Sequence, residues 1–259
     1  MLEFTQCGLV YLSTFDHIHL SHYEQSGMHK DKMPDIDAWL KTTECDDARR
    51  FEFLKEQIID KDLLDFGCGV GGFLGMAKEV ANTAKGVELE RVLQPSFIER
   101  DLDVFSSLEA VKKESKKFHT ITAFHVVEHL KNPKEILKNL AEALHEDGEI
   151  IIEVPNSDDA LLTLYDSNDF QNFTYWSQHL FLFNAQTLTQ LFEQTGLRVN
   201  WLKHIQRYPL SNHLHWLVKG AGGGQELWQF LDNNQLTLEY EKQLASIGKT
   251  DTLIASVSL

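Results

Sequence analysis

Apolar residues in this chain recur at two alternating spacings. In DDARRFEFLKEQII, residues 46–59, Phe51, Leu54, Ile58 and Ile59 keep helical spacing behind Asp46 and Asp47, predicting an amphipathic helix with an aspartate at its start. The next stretch, DLLDFGCGVGGFLGMAKEVA, reads as a short apolar strand, a glycine-rich turn and a helix. On that helix Phe73, Leu74, Ala77 and Val80 share one face. The alternation continues with strands over Ala84–Leu89 and Ser96–Glu99, a charged helix over 106–116 and a strand over His119–His125. Asn132 and Pro133 open a helix through Leu144, since proline suits a first helical turn, and the apolar strand EIIIEV then ends at Pro155.

Strands separated by helices imply an α/β fold with a parallel sheet and right-handed crossovers. The rhythm loosens over 156–183, a polar and aromatic stretch that reads as a cover for an active site. It resumes with a helix over Ala185–Thr195, stopped by Gly196, and a strand over Leu197–Ile205. Residues 206–248 hold a GAGGG run and a predicted helix near 225–246, and DTLIASVSL closes as a strand.

Composition narrows the function. The chain has 259 residues, 42% of them hydrophobic, enough for one catalytic domain with appendages. Its formal net charge of -15 argues against a nucleic-acid partner or an anionic membrane surface. The one dense basic cluster, Lys112, Lys113, Lys116 and Lys117, has the spacing of a solvated helix face. Cys7, Cys45 and Cys68 form no CxxC pair, which suits a reducing compartment, and neither a leader nor a long apolar span is evident; a cytoplasmic protein is expected.

The glycine-rich turn is the first chemical signal. Gly67, Gly69, Gly71 and Gly72 follow a strand, where missing Cβ atoms let a ligand approach backbone N–H groups. The same string satisfies the GxGxxG of dinucleotide folds. Glu88, at the end of the next strand, suits the ribose of either an adenosyl cofactor or NAD. Asp65, just before the turn, sits badly beside a pyrophosphate and well beside the ammonium of a methionine moiety.

Taken in order, LLDFGCGVGGFL, KGVELE, FHTITAFHVVEHLKNP and EDGEIIIEVPN resemble the successive motifs of class I S-adenosylmethionine-dependent methyltransferases. The resemblance covers roughly 46–205 and implies a Rossmann-like, seven-stranded, mostly parallel sheet within a catalytic domain over 46–259. It also implies S-adenosylmethionine as cofactor and S-adenosylhomocysteine as product. Asp65, Gly67, Gly69 and Gly71 would then hold the methionine portion, Glu88 the ribose, and Leu89 and Asp101 the adenine side. Arg50 occupies the place where similar enzymes of ubiquinone O-methylation set an arginine against the cofactor carboxylate. HVVEHLKNP with HLFLFNAQTLTQLFEQTGLRV is similar to a bacterial subgroup acting on small molecules and carbohydrate precursors, and NHLHWLVKGAGGG to members linked with surface polysaccharides. CGLVYL resembles the end of a zinc ribbon, so residues 1–45 read as an N-terminal cap; only Cys7 survives, and no metal is expected.

Methyl transfer to a hydroxyl requires alignment of the acceptor and removal of its proton. His179, among aromatic neighbours, is the expected general base, and His125, at the end of its strand, the second candidate. Glu128 and His129 follow in the adjoining loop, and Tyr175 and Trp176 are placed to stack on an acceptor. His213, His215 and Trp216 read as structural. The expected activity is O-methylation of a sugar or glycan-precursor hydroxyl. C- or N-methylation of another small metabolite and a non-catalytic cofactor-binding protein are the alternatives, and the oligomeric state is not encoded legibly.

Overall fold

The computed structural model describes residues 1–18 and 34–259; residues 19–33 of the expected N-terminal cap lie outside the described residues. A hairpin of β1 (Leu2–Phe4) and β2 (Leu9–Tyr11) comes first, followed by the 23-residue helix α1 (Ile36–Ile58). The βα alternation is built from β3 (Asp62–Phe66), α2 (Gly72–Lys78), β4 (Thr83–Val87), α3 (Gln94–Glu99), β5 (Asp103–Phe105) and α4 (Leu108–Lys113). It continues with β6 (Phe118–Phe124), α5 (Pro133–Ala143) and β7 (Leu144–Pro155). After β7 come α6 (Ala160–Thr163), α7 (Asn168–Thr174), β8 (Phe181–Leu182), α8 (Ala185–Thr195) and β9 (Arg198–Ile205). Helices α9 (Leu210–Lys219), α10 (Gly224–Leu227) and α11 (Asn234–Ser246) precede β10 (Thr252–Ser258).

The main sheet has seven strands in the order β5-β4-β3-β6-β7-β10-β9. The first five run parallel, and β10 is antiparallel to both β7 and β9. Helices cover both faces, which is why β3 and β7 carry apolar runs rather than alternation: Leu63, Leu64, Ile150, Ile151 and Ile152 are all fully buried, as is Ile121 of β6. On one face Leu54 and Ile58 of α1 and Phe73 of α2 pack on Leu63, Ile151 and Ile254. On the other, Leu137 and Leu140 of α5 and Leu188 and Phe192 of α8 pack on Ile121 and Ile152. Each fully buried leucine contributes roughly 2 kcal/mol by leaving water. A second, three-stranded sheet joins β1, β2 and β8. Among the described residues no helix is long and apolar enough to cross a membrane.

The chain winds outward from β3 to β4 and β5, then returns to lay β6 on the other side of β3. That reversal opens a crevice at the carboxyl ends of β3 and β6, where open α/β sheets accept ligands.

Three local expectations are corrected. Ser96–Glu99 is not a strand: Pro95 starts α3, Leu93 and Phe97 bury one helical face, and the edge strand is Asp103–Phe105. The first helix begins ten residues before the expected position, capped by Asp35, whose side chain accepts from Ala38 N; Asp46 and Asp47 are interior to it. The helix expected near 225–246 is broken, because Asn233 caps a new start for α11.

Candidate active site

Strand β3 delivers the chain into a turn with three glycines in the left-handed region, Gly67 (φ +75°), Gly69 (φ +52°) and Gly71 (φ +75°). Gly67 N and Cys68 N both donate to Val87 O, at 2.8 and 3.1 Å, fixing the turn to β4. Gly69 N donates to Glu88 Oε2 at 3.0 Å, and Glu90 N donates to Glu88 Oε1 at 2.9 Å. Burial raises the Glu88 carboxyl above its ordinary range, with these backbone donors opposing it. Half-buried Leu89 follows. Around Gly69 there is room: among the described residues an added Cβ would meet only Trp39, at 3.9 Å. Asp65, 3% exposed, accepts from Thr122 Oγ1 at 2.8 Å. Burial pushes its carboxyl up to about 7 against the Thr122 hydrogen bond, with Asp47 adding to the rise.

Across the crevice, β6 ends at His125, held at φ +53°. Its Nδ1 lies 3.3 Å from Glu128 Oε1, and its Nε2 lies 3.2 Å from Glu153 Oε1 and 3.1 Å from Arg207 Nη1. Burial and Arg207 disfavour a proton on this ring, but Glu128 and Glu153 outweigh them and raise its pKa. Glu153 is fully buried in β7 and also receives Arg49 Nη2 at 2.9 Å and Arg50 Nη2 at 2.7 Å. Despite the burial, His125 and Arg50 hold its carboxyl well below the usual range. Arg207 in turn grips Asp46 through Nε and Nη2. The floor of the crevice is therefore a paired charge network, and each buried ion in it has a counter-ion.

His179 Nδ1 lies 2.8 Å from Thr174 O, and His129 Nδ1 lies 2.8 Å from Gln178 O. Burial pushes His179 down to about 4, so its ring is neutral near pH 7. A cavity of about 660 Å³ opens over this floor, with His125, His179, Arg207, Asp159, Asp251 and Trp216 in its wall. Its aromatic surface comes from Phe170, Phe173 and Trp216, which pack ring to ring. Tyr175 and Trp176, the expected stacking residues, lie outside this lining; Trp176 is 41% exposed and sets its edge against His179. His213 lines the cavity, bonded to Tyr240 Oη at 2.7 Å, and His215 bonds to Ala221 O at 2.7 Å.

One expected cofactor residue is placed elsewhere. Asp101 precedes β5 instead of following a third strand, so it stands at the opposite edge of the sheet from the crevice; its exposed carboxylate pairs with Lys78 at 2.6 Å. The Arg50 guanidinium is engaged by Glu153 and Asp47 and stacks over Phe124 at 4.8 Å. The sequence reading missed Glu153, Asp46, Arg207 and Asp251. Glu153 had a signal, a carboxylate set within an apolar strand that is covered on both faces. The other three are joined to the site only by tertiary packing.

Residues 38–201 match the methyltransferase domain family. The chain belongs to that family. A curated relative, the ubiquinone biosynthesis O-methyltransferase of Coxiella burnetii, is 24% identical over 183 residues, covering 63% of this chain and 75% of the relative. A SAM-dependent methyltransferase from Archaeoglobus fulgidus shares the fold at TM-score 0.58 with 21% identity, covering 83% of this chain and 94% of that one. A possible histamine N-methyltransferase from Thermotoga maritima superposes at TM-score 0.57 with 15% identity, covering 93% and 99%. The protein is thus a methyltransferase dependent on S-adenosylmethionine, a cofactor that supplies an electrophilic methyl group on sulfur. The residues present fit that cofactor. The turn at Gly69 leaves a cradle that a side chain would fill, and Asp65 is a buried carboxylate short of a cation.

Proposed function

We propose that this methyltransferase transfers a methyl group to a hydroxyl of a small, polyhydroxylated acceptor, such as a sugar or glycan precursor, bound in the cavity beside the glycine turn. The observation that carries the reading is the cavity itself, with His125 and His179 in its wall and contributions from both cap segments, 156–183 and 206–248. On the cofactor side, Asp65 meets the ammonium, the backbone of Gly67, Gly69 and Gly71 cradles the methionine portion, Glu88 takes the ribose hydroxyls, and Leu89 flanks the adenine.

On the acceptor side, a lining that combines aromatic rings with Asp159 and Asp251 suits a ring that is apolar on its faces and hydroxylated at its edge. The name of the Coxiella relatives supports oxygen as the receiving atom. Because a backbone carbonyl holds the hydrogen on His179 Nδ1, Nε2 of the neutral ring is left as a proton acceptor. In the reaction the acceptor O–H loses its proton, the oxygen attacks the methyl carbon in line, and the C–S bond breaks with its electron pair remaining on sulfur. His125, with a raised pKa, and Arg207 place positive charge at the cavity floor, where an oxygen gathering negative charge is stabilised.

The test is mass spectrometry of sugars, nucleotide sugars and phenols incubated with cofactor and protein. A gain of one methyl group on a sugar hydroxyl supports the full reading, and methylation confined to phenols replaces the acceptor class. Methylation at nitrogen or carbon alone overturns the hydroxyl reading.

A further inference from the structure

Glu128 sits in the short turn Val127–His129 with its carboxylate fully buried, and its Oε2 has no hydrogen-bond partner. Its Oε1 is 3.3 Å from His125 Nδ1 and 3.9 Å from His129 Nε2. A buried carboxylate oxygen left bare is costly, by roughly 1–3 kcal/mol or more. The two nearest rings beyond His125 do not relieve it. His129 and His179 each point Nδ1 at a carbonyl oxygen at 2.8 Å, those of Gln178 and Thr174. A carbonyl only accepts, so each Nδ1 carries the hydrogen and Nε2 is the atom each ring can offer as a ligand. One donor atom from each of Glu128, His129 and His179 lies within 4.8 Å of the other two. The bare Glu128 oxygen and the two imidazole ligand atoms thus share one small volume, a donor set that suits a cation.

We propose that Glu128, His129 and His179 form a binding site for a divalent transition-metal ion of the zinc, manganese or iron(II) class. Two imidazoles and one carboxylate favour these ions over magnesium or calcium, which prefer all-oxygen shells. The carbonyl bonds at both Nδ1 atoms are the outer supports that fix the tautomer and orientation of metal-ligating histidines. Bond lengths of about 2.0–2.2 Å bring tetrahedral donors to about 3.3 Å apart, so the side chains close by on the order of 1 Å when the ion enters. Three protein ligands leave the ion an open position, and His179 lies in the cavity wall. With the ion bound, His179 Nε2 is a ligand and no longer the proton acceptor; there the ion would take the acceptor oxygen and ease loss of its proton to water before that oxygen attacks the methyl group. This role rests on the hydroxyl-acceptor reading; the site does not.

The experiment uses the full chain, stripped with chelator and titrated with Zn²⁺ by calorimetry and with Co²⁺ by visible absorption, alongside Glu128→Gln, His129→Ala, His179→Ala and the surface control His145→Ala. The expected result is one ion per chain with micromolar or tighter affinity, on the order of -8 kcal/mol, weakened about a hundredfold or more in the three site variants and unchanged in the control. S-adenosylhomocysteine binding, measured on every variant, reports folding. Absence of metal binding by a protein that still binds S-adenosylhomocysteine overturns the site and leaves the methyltransferase reading standing, as does binding that the three site variants do not weaken. Metal binding that persists while no hydroxyl acceptor is ever methylated leaves the site and removes its assigned role.

Discussion

Gly67 and Val126 join the two halves of the crevice: a Cβ on Gly67 would come within 2.4 Å of Val126 Cγ2. The glycine turn and the loop that carries His125, Glu128 and His129 are thus in direct contact. Gly67→Ala meets both this clash and a φ of +75°. The expected loss is about 2 kcal/mol or more of stability, with S-adenosylhomocysteine affinity at least about tenfold weaker. Adding Val126→Ala removes the clash but not the backbone strain, so calorimetry on the double variant should show partial recovery. Full wild-type affinity in Gly67→Ala would contradict this contact.

Cofactor binding should depend on pH through Asp65. In the free protein its carboxyl titrates at about 7, and an ammonium group beside it favours the charged form and lowers that value. Binding therefore releases a proton below about pH 7, and affinity rises with pH in that window by at most about tenfold per unit. Titrations in buffers of different ionisation heat count the proton directly. Asp65→Asn should bind more weakly and show no such release.

Glu153 anchors the charge network under the cavity. Replacing it with glutamine keeps its shape and strips Arg50 and His125 of a buried counter-ion. A loss of about 3 kcal/mol is expected, read as a lower urea midpoint at an unchanged slope. A change within about 0.5 kcal/mol, the range of ordinary surface substitutions, would show that the arginines find other partners.

Local patterns made the βα order legible. The apolar runs at Leu63–Leu64 and Ile150–Ile152 announced buried parallel strands, and Pro133 and Gly196 marked helix ends where the structure has them. The failure at Ser96–Glu99 came from a short apolar segment whose periodicity suits either state; Pro95 was the overlooked arbiter. Misplacing that strand also misplaced Asp101. The glycine turn between β3 and α2 was readable as a backbone feature because the geometry it requires is local. The contacts of Arg207 with Asp46, 161 residues away in sequence, and with His125, 82 residues away, leave no local trace, and neither does the approach of His179 to Glu128.

Strand β10 pairs with β7 on one side and β9 on the other, so β9 joins the main sheet only through residues 252–258. During synthesis β9 is made first and has no neighbour to pair with until β10 follows. Its backbone hydrogen-bonding groups wait for β10 through the interval in which α9, α10 and α11 are translated. The wall of the cavity beside His125 and His179 inherits that delay, because Asp251 and Thr252 reach it on the same late segment. The cavity is therefore completed late in synthesis, well after the glycine turn between β3 and α2 has been made.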